Sequence, residues 1–234
     1  MQKIRGIWAS LVIIFGLAII ILLILSTRHK GQNGRKARFG CKFWFFLSGF
    51  KLEQIGSFDM EANLILLNHQ SYADIICLEG YHPRNICWVA KKQLGKIPFY
   101  GHALKGPEMI LVDRESRTGL AFLLKEAKKR LEQNRPLTIF PEGTRSDGKE
   151  QFLKFKVGAK ILAERYKLKI QPVLLINTRK MFQTSPMKSE ISKARMVALD
   201  AFYPDLEDPN WYDKLEVQMQ AEYLKHYREL NPTH

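Results

Sequence analysis

Cysteine is scarce in this chain of 234 residues. The three that occur, Cys41, Cys77 and Cys87, are odd in number and form no C-x-x-C pair, which argues against both a disulfide framework and a zinc site. They read as reduced thiols in a domain facing the cytosol. Also lacking is any Ser or Cys set in a G-x-S-x-G elbow, so no covalent nucleophile is evident. Internal repeats, low-complexity segments and nucleic-acid-binding motifs are absent as well. Acidic residues are in deficit: 23 Asp and Glu stand against 37 Lys and Arg, a net charge of +14. Such a surface attracts anions, and nucleic acid, anionic lipid, nucleotide-bearing substrates and acidic carrier proteins all fit that sign.

What is present begins with one long apolar run. Residues 4–26 read IRGIWASLVIIFGLAIIILLILS, 23 residues almost free of charge. As a helix they reach about 34 Å, enough to cross a bilayer core. The apolar part of a signal peptide is shorter, about 7–15 residues, and ends at a small-residue cleavage site that is not evident here. Residues 1–27 are therefore expected to be a transmembrane or membrane-embedded anchor. Lys3 and Arg5 precede the run, while Arg28, Lys30, Arg35, Lys36 and Arg38 follow it. The positive-inside bias then leaves the rest of the chain cytoplasmic, on the inner membrane of a cell. Residues 39–50, FGCKFWFFLSGF, are too short to span but rich in the aromatic rings that favour the headgroup boundary. Residues 28–55 are thus expected to form a basic linker and an interfacial amphipathic segment.

From about residue 56 onward short β-rich runs alternate with helix-period segments, as βαβ units do. Strands are expected at residues 63–67, 85–90, 109–112, 137–140, 170–176 and 195–202, and helices at 118–133, 157–166 and 211–229. The fold class is α/β: residues 56–234 form one domain with a single mixed, largely parallel sheet flanked by helices. The membrane helix and the interfacial aromatic helix precede it.

In open α/β sheets functional groups gather beyond the carboxyl ends of strands. The unusual residues of this sequence stand there. The run LLNHQSYAD ends a strand at Asn68 and His69, and Ser71 followed by Asp74 resembles a capping box with Ser71 as helix N-cap. His69 would then lie in the preceding turn, free to fold back so that its Nδ1–H donates to the Asp74 carboxylate. A carboxylate so placed fixes the imidazole tautomer and makes Nε2 a general base for a hydroxyl. A capped helix with an incidental histidine is the plain alternative. After a second strand comes FPEGTRS, residues 140–146. Here Gly143 allows close backbone approach, Arg145 suits a phosphate, and Glu142 can orient Arg145 or a substrate hydroxyl. Arg114 follows a third strand, and Lys92 or Lys91 adds positive charge. An ordinary turn with solvated surface charges is the plain alternative for these.

Together these stretches resemble the glycerolipid acyltransferase family, and within it the bacterial 1-acylglycerol-3-phosphate acyltransferases. The family's N-H-x-S-x-x-D block stands as Asn68 to Asp74, and its F-P-E-G-T-R-S block is matched in full by Phe140 to Ser146. A pattern ending in Ile-Asp-Arg is represented by Val112-Asp113-Arg114, and an apolar block with a central proline by Ile170-Gln171-Pro172-Val173. In one departure, Glu108 falls near the place of a family glycine, and the neighbouring glycine is Gly106.

The resemblance implies direct acyl transfer with no metal and no cofactor. Acyl-CoA or acyl-acyl carrier protein is the donor and co-substrate, and the sn-2 hydroxyl of lysophosphatidic acid is the acceptor. His69 and Asp74 are the catalytic pair. Arg114, Glu142, Gly143, Thr144, Arg145 and Lys92 hold the acceptor. The expected partners are membrane lipid, lysophosphatidic acid and the acyl-CoA or acyl carrier protein, and nucleic acid is not among them. Two alternatives stay open: another acceptor such as glycerol 3-phosphate, or a non-catalytic lipid-binding protein of the same fold.

Overall fold

A strand buried on both faces loses the alternation of polar and apolar residues, and Leu64–Leu67 (β2) and Ile170–Ile176 (β6) are buried at every position. They sit side by side at the centre of a seven-stranded sheet in the computed structural model, which describes residues 2–27, 34–113, 116–190 and 192–232. Arg28, Lys30 and Arg114 lie outside the described residues. Around the two central strands are β1 (Lys51–Ile55), β3 (Cys87–Lys91), β4 (Ile110–Val112), β5 (Leu137–Ile139) and β9 (Lys193–Ala198), in the order β1-β9-β6-β2-β5-β3-β4. The five strands from β6 to β4 in that order are mutually parallel. β9 runs antiparallel to β6, and β1 runs parallel to β9. The mixed, largely parallel sheet expected from the alternation is therefore present, and all five parallel strands deliver their carboxyl ends to one edge.

The connecting helices are α4 (Ala73–Tyr81) after β2, α5 (Tyr100–Lys105) before β4, α6 (Gly119–Glu132) before β5, α7 (Gly158–Tyr166) before β6 and α9 (Trp211–Leu230), which packs on β6. Expected strands and helices match to within a few residues, with two differences. β9 ends at Ala198, and Phe202 makes only an isolated bridge to Ile170. β1 was not anticipated: it lies inside the 28–55 segment yet joins the sheet edge, pairing Lys51 with Lys193 through Ile55 with Val197. No residue of β1 is fully buried, so an edge position had left little apolar signal to read.

The apolar N-terminal segment forms α1 (Gln2–Thr27), long and apolar enough to cross a membrane. It does not stand clear of the domain. At its start Gly6 lies against the Lys188 backbone, where an added Cβ would sit 3.2 Å away. Lys188 belongs to a small hairpin, β7 (Gln183–Thr184) and β8 (Met187–Lys188), which follows the short α8 (Thr178–Met181). At the other end Ile24 is buried against Gly34 and Gly106, and a Cβ on either glycine would come within 2.6 Å of it. Between these ties Ile7, Leu11, Ile14, Phe15 and Leu22 point outward.

Two short helices follow, α2 (Arg35–Phe39) and α3 (Lys42–Ser48). On α3, Trp44 and Phe45 turn inward, with Trp44 tilted over Phe50 at 5.0 Å, while Phe43 and Phe46 are 70% and 84% exposed. The outward apolar faces of α1 and α3 adjoin, and Trp8 Nε1 donates to the Leu47 carbonyl at 3.3 Å. The linker's basic character changes here. Arg35 and Arg38 are buried, not solvated: both pair with Glu79 of α4, and Arg38 also donates to Asn85. A carboxylate more than 40 positions downstream took them from the surface, which no local pattern reveals.

Candidate active site

β2 ends on Asn68, whose buried side chain extends the pairing with β6 by one step. Its Nδ2 donates to the Leu175 carbonyl at 2.8 Å and its Oδ1 accepts the Leu175 N–H at 2.7 Å. The next residue is thereby held at the mouth of the sheet. His69 Nδ1 lies 2.8 Å from Asp74 Oδ2. The same oxygen accepts the backbone N–H groups of Gln70 at 2.6 Å and Ser71 at 2.8 Å, and Asp74 is fully buried. Donors converging on one oxygen leave it little freedom. The contact between the two side chains is as expected, but the route differs. α4 begins at Ala73 with Tyr72 at its N-cap, so Ser71 is not the cap. Ser71 Oγ instead accepts the Ala73 N–H at 3.1 Å and donates to the Phe182 carbonyl.

The imidazole is also gripped by its face. Phe140 stacks on it with centroids 3.8 Å apart and planes 12° from parallel, and Trp88 in turn stacks on Phe140 at 5.1 Å. With Nδ1 on Asp74, the ring nitrogen left for chemistry is Nε2, on a side chain that remains partly accessible. Phe140 was present in the sequence motif but carried no expected role. Stacking depends on β2 and β5 being neighbours in register, a relationship that residue order does not contain.

The FPEGTRS loop leaves β5 beside β2 and is fastened to the histidine backbone. Glu142 is 1% exposed; its Oε1 accepts the His69 N–H at 2.6 Å and its Oε2 accepts the Leu153 N–H at 2.9 Å. The Ser146 N–H donates to the His69 carbonyl at 2.8 Å, and its hydroxyl adds a bond at 3.1 Å. Burial pushes the Glu142 carboxyl up to about 7, against the two backbone donors that favour its charged form. Both Glu142 oxygens thus serve the backbone, and its carboxyl is not paired with Arg145. Gly143 turns the loop at φ 75°, a conformation that side-chain-bearing residues rarely adopt.

Thr144 and Arg145 are exposed at the same edge. Arg145 lies over the Tyr72 ring at 4.4 Å, with Nη1 3.4 Å from Thr184 Oγ1, so its guanidinium borders the His69 loop. Lys92 follows β3, also at the carboxyl edge, and its Nζ lies 3.7 Å from Asp113 beyond β4. Near the other end of the sheet, Glu108 takes φ 55°, a left-handed backbone that residues with a side chain rarely adopt. A polar cavity of about 570 Å³, lined by Arg35, Arg84, Arg135 and Glu108, opens at the amino ends of β3 and β5, away from His69. Among the described residues no cluster of three or more His, Cys, Asp and Glu is placed to hold a metal ion.

A family model described as Acyltransferase matches residues 51–176. The chain is 55% identical over 230 residues to a 1-acyl-sn-glycerol-3-phosphate acyltransferase of Helicobacter pylori (strain J99), covering 98% of this chain and 97% of that one. It is 35% identical over 113 residues to a protein of the same name from Haemophilus influenzae, covering 47% of this chain and 46% of the relative. The solved 1-acyl-sn-glycerophosphate (LPA) acyltransferase PlsC from Thermotoga maritima shares the fold, with a TM-score of 0.73 over the whole of both chains at 19% identity. The family match runs from β1 to the end of β6 and takes in both loops of the site, so the chain belongs to the acyltransferase family.

Proposed function

We propose that this protein transfers a fatty acyl group from a thioester donor, acyl-CoA or acyl-acyl carrier protein, to the sn-2 hydroxyl of 1-acyl-glycerol 3-phosphate. The product is phosphatidic acid, an intermediate of phospholipid biosynthesis. The observation that carries the reading is the 2.8 Å contact between His69 Nδ1 and Asp74 Oδ2, in a chain 55% identical to a relative named for this activity.

In this reading His69 Nε2 takes the hydroxyl proton, and the oxygen attacks the thioester carbonyl. The tetrahedral intermediate then expels the thiolate, which recovers the proton from the imidazolium. Asp74 stabilises that imidazolium and holds its ring in place, work worth typically 10²- to 10⁴-fold in rate. Arg145 binds the acceptor phosphate, with Arg114, Lys92, Thr144 and the Gly143 backbone completing the acceptor site. Glu142 keeps the two loops together.

The outward apolar residues of α1 and α3 suit lipid, where acceptor and product both reside. The ties of α1 to the domain near residue 6 and again near residue 24 favour a helix that lies along the membrane over one that carries an end across it. We therefore read α1 as embedded along the cytoplasmic leaflet of the inner membrane, with the catalytic domain facing the cytoplasm.

The test is a donor-by-acceptor assay on purified protein in detergent, following thioester loss and diacyl product. Wild type should form phosphatidic acid and His69→Ala should not. Undiminished turnover by His69→Ala would remove the proposed base.

A further inference from the structure

Two groups of α4 act on the histidine from different sides. Asp74, near its start, holds the ring edge. Glu79, five positions on, lies at the head of a chain of contacts that ends on the ring face. Glu79 is buried, and its Oε1 accepts both the Trp88 Nε1–H at 2.9 Å and Arg38 Nη1 at 2.5 Å. Arg35 Nη1 lies 3.5 Å from Oε2 and donates to the Glu79 carbonyl at 2.9 Å. Trp88 stacks on Phe140, and Phe140 stacks on His69.

Burying one carboxylate with two guanidiniums gains little stability over a well-packed apolar core, so stability alone is a poor account of the cluster. What it does offer is direction: the indole N–H held on Oε1 anchors the edge of the same ring that stacks on Phe140. We propose that Glu79 is a positioning residue for His69, acting through Trp88 and Phe140, and that Arg35 and Arg38 of α2 set it in turn. α2 leads directly into α3, whose Phe43 and Phe46 point outward, so the apolar surface and the imidazole are two ends of one run of contacts. This inference rests on the proposed acyl transfer.

The test is Trp88→Phe, which keeps an aromatic platform for Phe140 but removes the N–H donated to Glu79. Full-length wild type and variant are compared in detergent for kcat, for KM of acceptor and donor, and for unfolding midpoint. The His69 ring-proton resonances are followed by NMR, assigned with His69→Ala. We expect kcat to fall about tenfold, the scale of a base that is present but misaligned, with both KM values within about twofold. The midpoint should stay close to wild type, and the His69 resonances should move, because the stacked ring shields them. Should Trp88→Phe fail to fold, Glu79→Asp carries the same test, since it keeps the charge for both arginines and shortens the reach to the indole. An unchanged kcat together with unmoved His69 resonances would overturn the inference. A wild type that forms no diacyl product would instead overturn the function, while a moved resonance would still support the positioning chain.

Discussion

The backbone N–H of His69 donates to Glu142 Oε1 at 2.6 Å, so the loop after β2 and the loop after β5 are joined at the residue proposed to do the chemistry. The carboxyl responsible titrates near neutrality, at about 7 against an ordinary 4.5. Between those values the folded protein binds a proton that the unfolded chain has released. The contribution of this group to stability is therefore fullest below 4.5 and is lost as pH rises through about 7. Glu142→Gln cannot titrate and should show a flatter decline of unfolding midpoint over that window, from a lower start because one backbone donor loses its acceptor. Parallel curves for the two proteins would contradict the assignment.

Asp74→Asn keeps the size of the side chain but not its charge, and an amide can present Nδ2 to the imidazole. Turnover should fall by about 10²- to 10⁴-fold with little change in acceptor KM. Asp74→Ala should also lower stability, by about 1–3 kcal/mol for each of the Gln70 and Ser71 donors left buried and unpaired. Initial rates and thermal unfolding of the two variants separate the effects.

Arg145 is exposed, and among the described residues the Tyr72 face and a long contact to Thr184 hold it. Arg145→Ala should leave the unfolding midpoint nearly unchanged and raise the acceptor KM about 10- to 100-fold, the worth of a hydrogen bond to a charged group. Normal acceptor KM would remove its assigned role.

Gly106 closes α5 with no room for a side chain, since a Cβ would lie 2.6 Å from Ile24 Cγ2 and 2.9 Å from the His102 carbonyl. Gly106→Ala should cost about 1–3 kcal/mol, the range for overpacking a fitted contact. Gly16→Ala meets nothing within 4 Å and, in a helix, should be neutral or mildly stabilising. Unfolding midpoints of the pair in one detergent decide it.

The parts of the molecule legible in the sequence were those specified locally. β2 announced itself as an unbroken apolar run and β6 as an apolar run interrupted only by Gln171 and Pro172, and the amphipathic stripe of α6 fixed that helix to within a residue. His69 and Asp74 were close enough in sequence for one turn to bring them together. What escaped depends on partners far along the chain. Arg35 and Arg38 read as linker charges because Glu79 and Asn85 are remote. Phe140 needs β5 beside β2 before it can reach the imidazole, and the hold of Glu142 on the His69 and Leu153 N–H groups is a fact of loop packing. The N-terminal run declared its affinity for lipid, but its length said nothing about Lys188, Gly34 and Gly106 waiting along its inner side.

Because those fastenings lie near both extremities of the N-terminal helix, trimming the chain to its catalytic part would not release a water-soluble catalyst. The cut would bare the trough that Ile21 and Ile24 now fill and strip cover from the 183–188 hairpin, whose Thr184 touches Arg145. A surface of that kind invites self-association. The helix is thus one wall of the enzyme as well as its proposed contact with lipid, and purified protein should keep its activity only in detergents that coat the outer side of the helix without prising it from the inner one.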